Sequence, residues 1–228
     1  MKTPVLFENS DFYEKEKYFS QFGSVLNLVQ FFFSELPENN YDFSAFVAKE
    51  ALKSLKKRKA KFYEKPHKQY QSQYYFNSGL NGAEISYDIE GVEPKGKKIE
   101  LGTFLGESYS KKFKELTHRA NSGLSYALLE PPYSLRYTEF IRQQARELGR
   151  KKLNNWERIK LVQTKFFNYF LEEIELDVTD ENQLVIYEWD NNWSYYFDAG
   201  KEWWGTFFWT VLNSDEGIIT VISASTTD

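Results

Sequence analysis

The chain has 228 residues, 41% hydrophobic and 27% charged, which is enough apolar material for a folded core and too much for a disordered chain. It has no Cys, which excludes disulfides, thiolate metal sites and Cys nucleophiles. The net charge of -4 hides three blocks: residues 49–68 carry net +7, residues 111–165 net +8 and residues 166–228 net -12, an asymmetry that bears on partners more than on fold.

The N-terminus offers one Lys before a short apolar run, Pro4 to Phe7, and charges follow at once, so it does not read as a signal peptide. No stretch reaches the roughly 18 apolar residues of a membrane span, and the expected location is cytoplasmic. "GSVLNLVQFFFSELPENN", Gly23 to Asn40, predicts a helix: Ser24 caps it, Val25, Leu28, Val29, Phe32 and Phe33 recur at helical spacing, and Pro37 ends it. A second helix follows, capped by Asp42 or Ser44. Phe46, Val47, Leu52 and Leu55 lie on its buried side and lysines crowd its last turns, where cations suit the helix dipole.

Residues 83–91, "AEISYDIEG", alternate Ile85, Tyr87 and Ile89 and predict a strand. "EPKGKK" is expected to turn the chain into a second strand, "IELGTFL", closing an antiparallel hairpin. A helix is predicted over 107–120, with Tyr109, Phe113 and Leu116 inward, and a strand over 123–130, stopped by Pro131 and Pro132. Helical material then runs on both sides of a break near Gly149 to Asn155. Asn155 is the expected cap of the second part, in which Ile159, Val162, Phe166, Phe167 and Phe170 repeat at helical spacing. Four strands are predicted to follow, over 182–189, 193–198, 205–213 and 217–225, the last two joined by "NSDEG". In "GTFFWTVL", Phe207, Trp209 and Val211 share one strand face, and Phe208 and Leu212 the other. Apolar groups on both faces mark a central strand.

No motif carries a reaction. "EPPY", Glu130 to Tyr133, resembles the D/N-P-P-Y signature of amino-methyltransferases, but Glu replaces Asp or Asn and no Gly-rich loop follows an N-terminal strand. A rigid turn made by two prolines accounts for the residues equally well. His67 and His118 are the only histidines. The first sits among lysines and the second at a predicted helix end, so neither points to a metal site, and no cofactor or metal is expected. The positives of the helix around Lys56 to Lys61 surround it rather than forming a stripe, and the overall pI of about 5.5 argues against a dedicated nucleic-acid binder.

The expected architecture is α+β, a single domain over 1–228, with an antiparallel sheet mainly from the C-terminal third packed against helices from residues 1–175. The acidic, aromatic β-segment over 176–228 holds the candidate binding residues: Asp190, Trp193, Asp198, Lys201, Glu202, Trp203 and Trp204. Acids in turns beside tryptophans suit a face that engages a basic protein partner, in the manner of immunity or antitoxin proteins that present carboxylates and aromatics to a nuclease. The alternative is a hydrolase acting on a glycan or nucleotide, with Glu188, Asp190, Asp198 and Glu202 beside tryptophans in one cleft. No membrane partner is expected.

Overall fold

Residues 205–213 are flanked by strands on both sides, as apolar groups on both of their faces require. The computed structural model describes residues 5–35, 37–64, 88–89, 91–132, 138–150, 152–179, 183–201 and 204–226. Six strands form one antiparallel sheet: β1 (Leu6–Glu8), β2 (Asn27–Phe33), β3 (Gly96–Ile99), β6 (Leu184–Trp189), β7 (Gly205–Asn213) and β8 (Ile218–Thr226). Their order is β1-β2-β8-β7-β6-β3. The C-terminal third therefore supplies the centre of the sheet, and the first hundred residues supply the strands that flank it. A separate small hairpin pairs β4 (Tyr109–Ser110) with β5 (Glu115–Leu116).

The helices are α1 (Asp11–Ser20), α2 (Asn40–Glu64), α3 (Leu101–Leu105), α4 (Gly123–Leu129), α5 (Thr138–Glu147) and α6 (Asn155–Glu157). A π-helical stretch, Arg158–Gln163, continues α6 into α7 (Thr164–Glu173). Strand alternation sorts the core into two layers. Trp209, Val211, Ile222, Leu28 and Ile186 point to the face covered by α1, α3, α4, α5 and α7. Phe208, Leu212, Val221, Val29 and Tyr187 point to the other, covered by α2 and by the 190s segment. Trp209 is 1% exposed, set edge-on to Phe104 and stacked on Phe207. The fold is thus α+β, with helices on both faces of an antiparallel sheet.

Several local expectations are corrected. The stretch 23–40 is not a helix: its centre is β2, antiparallel to β8 over Asn27 to Phe32. Val29, Phe31 and Phe33 alternate with Leu28 and Phe32, so the apolar run satisfies a strand buried on both sides as well as a helical stripe, and pairing with β8 decides between them. The 107–120 segment is the β4–β5 hairpin. Tyr109 and Leu116 are buried as expected, but Phe113 sits on the turn and is 66% exposed. His118 consequently ends no helix. It is exposed, with Nδ1 2.9 Å from the Thr117 hydroxyl.

The 123–130 segment is α4, with Leu124, Ala127 and Leu128 buried at helical spacing. Its start lies so close to the end of α3 that a Cβ on Gly123 would come within 2.5 Å of the Phe104 carbonyl oxygen, at a φ of +61°. "IELGTFL" is divided between the end of β3 and α3, and β3 pairs with β6. Residues 83–87 and 90 of that expected hairpin lie outside the described residues. Ile89 makes only an isolated antiparallel bridge to Ser194. The expected strand 193–198 is instead a 3-10 segment, Tyr195–Gly200, whose start is capped by the Ser194 hydroxyl accepting from the Tyr196 N–H.

Four cations of the lysine-rich helix α2 are paired within the chain. Lys49 pairs with Glu93, Lys53 with Glu50 and Lys56 with Asp88. Arg58 reaches Glu8 on β1 and Glu16 on α1, and donates to the Leu28 carbonyl at 2.8 Å. Among the described residues, no helix is long and apolar enough to cross a membrane.

Candidate functional site

The residues singled out in the sequence do not form one exposed face. Asp190 is half-buried and closes the end of the sheet: its carboxylate accepts from the Lys95 N–H at 3.1 Å, and its own N–H donates to the Lys95 carbonyl at 2.9 Å. Trp193 has no exposure, packs edge-on against Phe197 and Phe208, and donates through Nε1 to the Asp190 carbonyl at 2.7 Å. It is core, which corrects the expectation of a surface anchor. Trp204 is half-buried on the opposite side of the sheet, stacked on Tyr126 and donating to the Glu130 carbonyl at 2.9 Å. Asp198 and Lys201 are exposed and pair with each other at 2.8 Å. Glu202 and Trp203 lie outside the described residues.

The 190s segment folds this way because its polar groups are used locally. Ser194 donates to the Asp88 carbonyl, Asn191 to the Thr206 hydroxyl, and the Gly200 N–H to the Ser225 hydroxyl. Glu130 of "EPPY" is equally committed: Arg119 and Gln163 donate to its carboxylate. Of the other tryptophans named above, Trp189 and Trp209 are buried.

Exposed acids and exposed aromatics do coincide at the other end of the sheet. There β1 and β2 align Phe7 with Phe32, and β2 and β8 align Phe32 with Ile218. Residues directly opposite in an antiparallel pair share a face, so these three side chains form a strip. Phe7 is 60% exposed and Phe32 41%. The same side of β8 continues through Ile218, Thr220 and Ile222 along a narrow cleft, whose other wall holds Glu175, Leu176 and Glu216. Beyond Glu175 and Leu176 lies an open groove of about 420 Å³. Leu171 and Val178 give it apolar walls, and Glu172, Asp177 and Lys114 line it too.

Local backbone chemistry fixes this corner. Helix α7 ends with the Glu175 N–H bonded to the Glu172 carbonyl and the Leu176 N–H bonded to the Leu171 carbonyl. This closing pattern puts its penultimate residue in the left-handed region, where Gly is the usual choice. Here it is Glu175, at φ 57°, and Lys15 of α1 holds its carboxylate at 2.7 Å. Lys114, at φ 50°, is the only other non-glycine residue with positive φ among the described residues, and it lines the same groove. Such outliers concentrate where function constrains the backbone.

Polar groups across the groove are held in one arrangement. The Tyr109 hydroxyl donates to Asn168 Oδ1 at 2.8 Å, and Asn168 Nδ2 donates to the Lys114 carbonyl at 2.8 Å. Burial pushes the Tyr109 hydroxyl up to about 12, so it stays a donor at neutral pH. The Thr179 hydroxyl and N–H both donate to Asp177, which holds that carboxyl below the usual carboxylate range and keeps it charged. Glu172, Asp177, Asp215 and Glu216 are all exposed.

The sequence reading missed this corner because a helix over 23–40 put Phe32 in a buried stripe and left Phe7 without a partner strand. The signal that was present is the acidic run "EEIELDVTDE", 172–181, directly after an apolar helix. Among the described residues, no group of three or more His, Cys, Asp or Glu is arranged to hold a metal ion. No protein-family model, curated protein or solved structure matches the chain.

Proposed function

We propose that the protein is a non-catalytic, cytoplasmic binding protein that engages a basic protein partner through an acidic face carrying aromatics, as an inhibitor of the immunity or antitoxin kind. The observation that carries this reading is the corner where the exposed pair Phe7–Phe32 aligns with Ile218, which lines a cleft with Glu175 and Glu216, and where the groove beyond Glu175 carries Glu172 and Asp177. Carboxylates at such a place accelerate encounter with a cationic surface, and desolvated rings slow its departure. The hydrogen bonds from Tyr109 to Asn168 and from Asn168 to the Lys114 carbonyl tie the groove together before any partner arrives, which lowers the ordering cost of binding.

The test is capture by the immobilised chain from a lysate of its own cells, followed by reconstitution with the purified partner. The expected result is one basic protein retained in stoichiometric amount and released by salt. Glu172→Lys with Asp177→Lys, and separately Phe7→Lys, abolish retention with melting temperatures near the parent, while Asp198→Lys leaves retention intact. Retention that survives both corner variants in folded protein contradicts the proposal, and so does loss confined to Asp198→Lys.

A further inference from the structure

The chain has a second unusual surface, on the β4–β5 hairpin and the start of the α6–α7 helix. Phe113 and Trp156 stand out of it, 66% and 58% exposed. Each carries an ammonium group: Lys112 Nζ lies 5.3 Å from the Phe113 ring centre, and Lys160 Nζ 5.0 Å from that of Trp156. An ion pair between Lys160 and Glu115 ties the hairpin to the helix, so both rings sit within a few residues of one link between the two elements.

The charge here is one-sided. Residues 150–165 contain six Lys/Arg against Glu157 alone. Glu157 is paired with Arg150, and Glu115 is spent on Lys160. Lys152 and Arg158 are exposed and make no ion pair among the described residues, and Lys165 donates only to the neutral Gln144 side chain. The whole-chain pI of about 5.5 averages this surface with the acidic corner and describes neither.

We infer that the surface bearing Phe113 and Trp156 binds single-stranded nucleic acid. Flat rings in water beside free cations suit a ligand that is itself a chain of flat rings and anions. Bases stack on the aromatic faces while phosphates meet the Lys and Arg groups, with little dependence on sequence. An acidic peptide would use the cations and leave both rings unused. The inference does not rest on the acidic corner, and either can fail without the other.

The probe is a 5′-labelled oligothymidylate of twenty nucleotides, titrated with the full-length chain and followed by fluorescence anisotropy. Saturable binding with a dissociation constant below about 100 µM is expected, weakening steeply as salt rises. Trp156→Ala and Phe113→Ala each weaken it about tenfold, as loss of one stacking ring does, with unchanged melting temperatures. Lys152→Glu with Arg158→Glu weakens it and flattens the salt dependence. Three results overturn the inference: no binding in that range, affinity unchanged in both ring variants, or displacement by polyglutamate as effective as by unlabelled oligonucleotide, which would make the surface a site for acidic polypeptide.

Discussion

Glu16 shows what burial does to one carboxyl group. It sits between α1 and β2, accepts from the Leu28 N–H at 2.8 Å and faces Arg58. Burial outweighs these partners and raises its pKa above the ordinary 4.5. The folded state therefore binds the proton more tightly than the unfolded chain. The stability linked to this group is fully present below pH 4.5 and is lost as pH rises through the raised value. Glu16→Gln removes that dependence, so its melting temperature relative to the parent is expected to rise between pH 4 and pH 7. Thermal melts across that range check this, and a relative melting temperature that falls with rising pH contradicts it. Nothing in "YEKEKY" marks Glu16 as buried. Burial here comes from the packing of α1 on β2, which no local pattern encodes.

At the scale of elements, legibility followed the source of stability. The strands β6, β7 and β8 were readable because alternation and turn residues agree with their pairing. Helix α2 was readable for the matching reason, an apolar stripe with a polar start. The misread pieces are short or ambiguous: β4 and β5 are two residues each and α3 is five, too short for a period to register. Two caps lie earlier than expected: Asn39, not Asp42 or Ser44, opens α2, its side chain accepting from the Tyr41 N–H, and the cap of α6 lies one residue earlier. Asn154, not Asn155, opens α6, with its side chain accepting from the Glu157 N–H while the Glu157 carboxylate accepts from the Asn154 N–H. Asn154→Ala is expected to cost about 0.5–2 kcal/mol by urea denaturation, and Asn155→Ala much less. Equal losses at the two positions would mean that the reciprocal cap contributes nothing.

Across the whole molecule, the charge blocks of the sequence turn into distinct surfaces. In the block over 49–68, Lys49, Lys53, Lys56 and Arg58 are spent on internal pairs. The block over 166–228 divides: Asp190 and Asp198 serve the 190s segment, while Glu172, Glu175, Asp177 and Glu216 gather at the opposite end of the sheet. An acidic, aromatic face was legible as composition, but its position depends on the pairing of β1 with β2 and of β2 with β8, which no short-range pattern shows. Of the tryptophans near acids in sequence, Trp193 folds inward as core and Trp204 packs half-buried on the other face of the sheet.

In the proposed function, this corner rather than the 190s segment meets the basic protein. Hydrogen–deuterium exchange on the chain alone and in complex with its purified partner tests it most directly. New protection is expected at residues 5–8, 31–33, 172–178 and 214–218 and nowhere else. Protection centred on residues 194–201, or a stable complex with exchange unchanged at the corner, would contradict it.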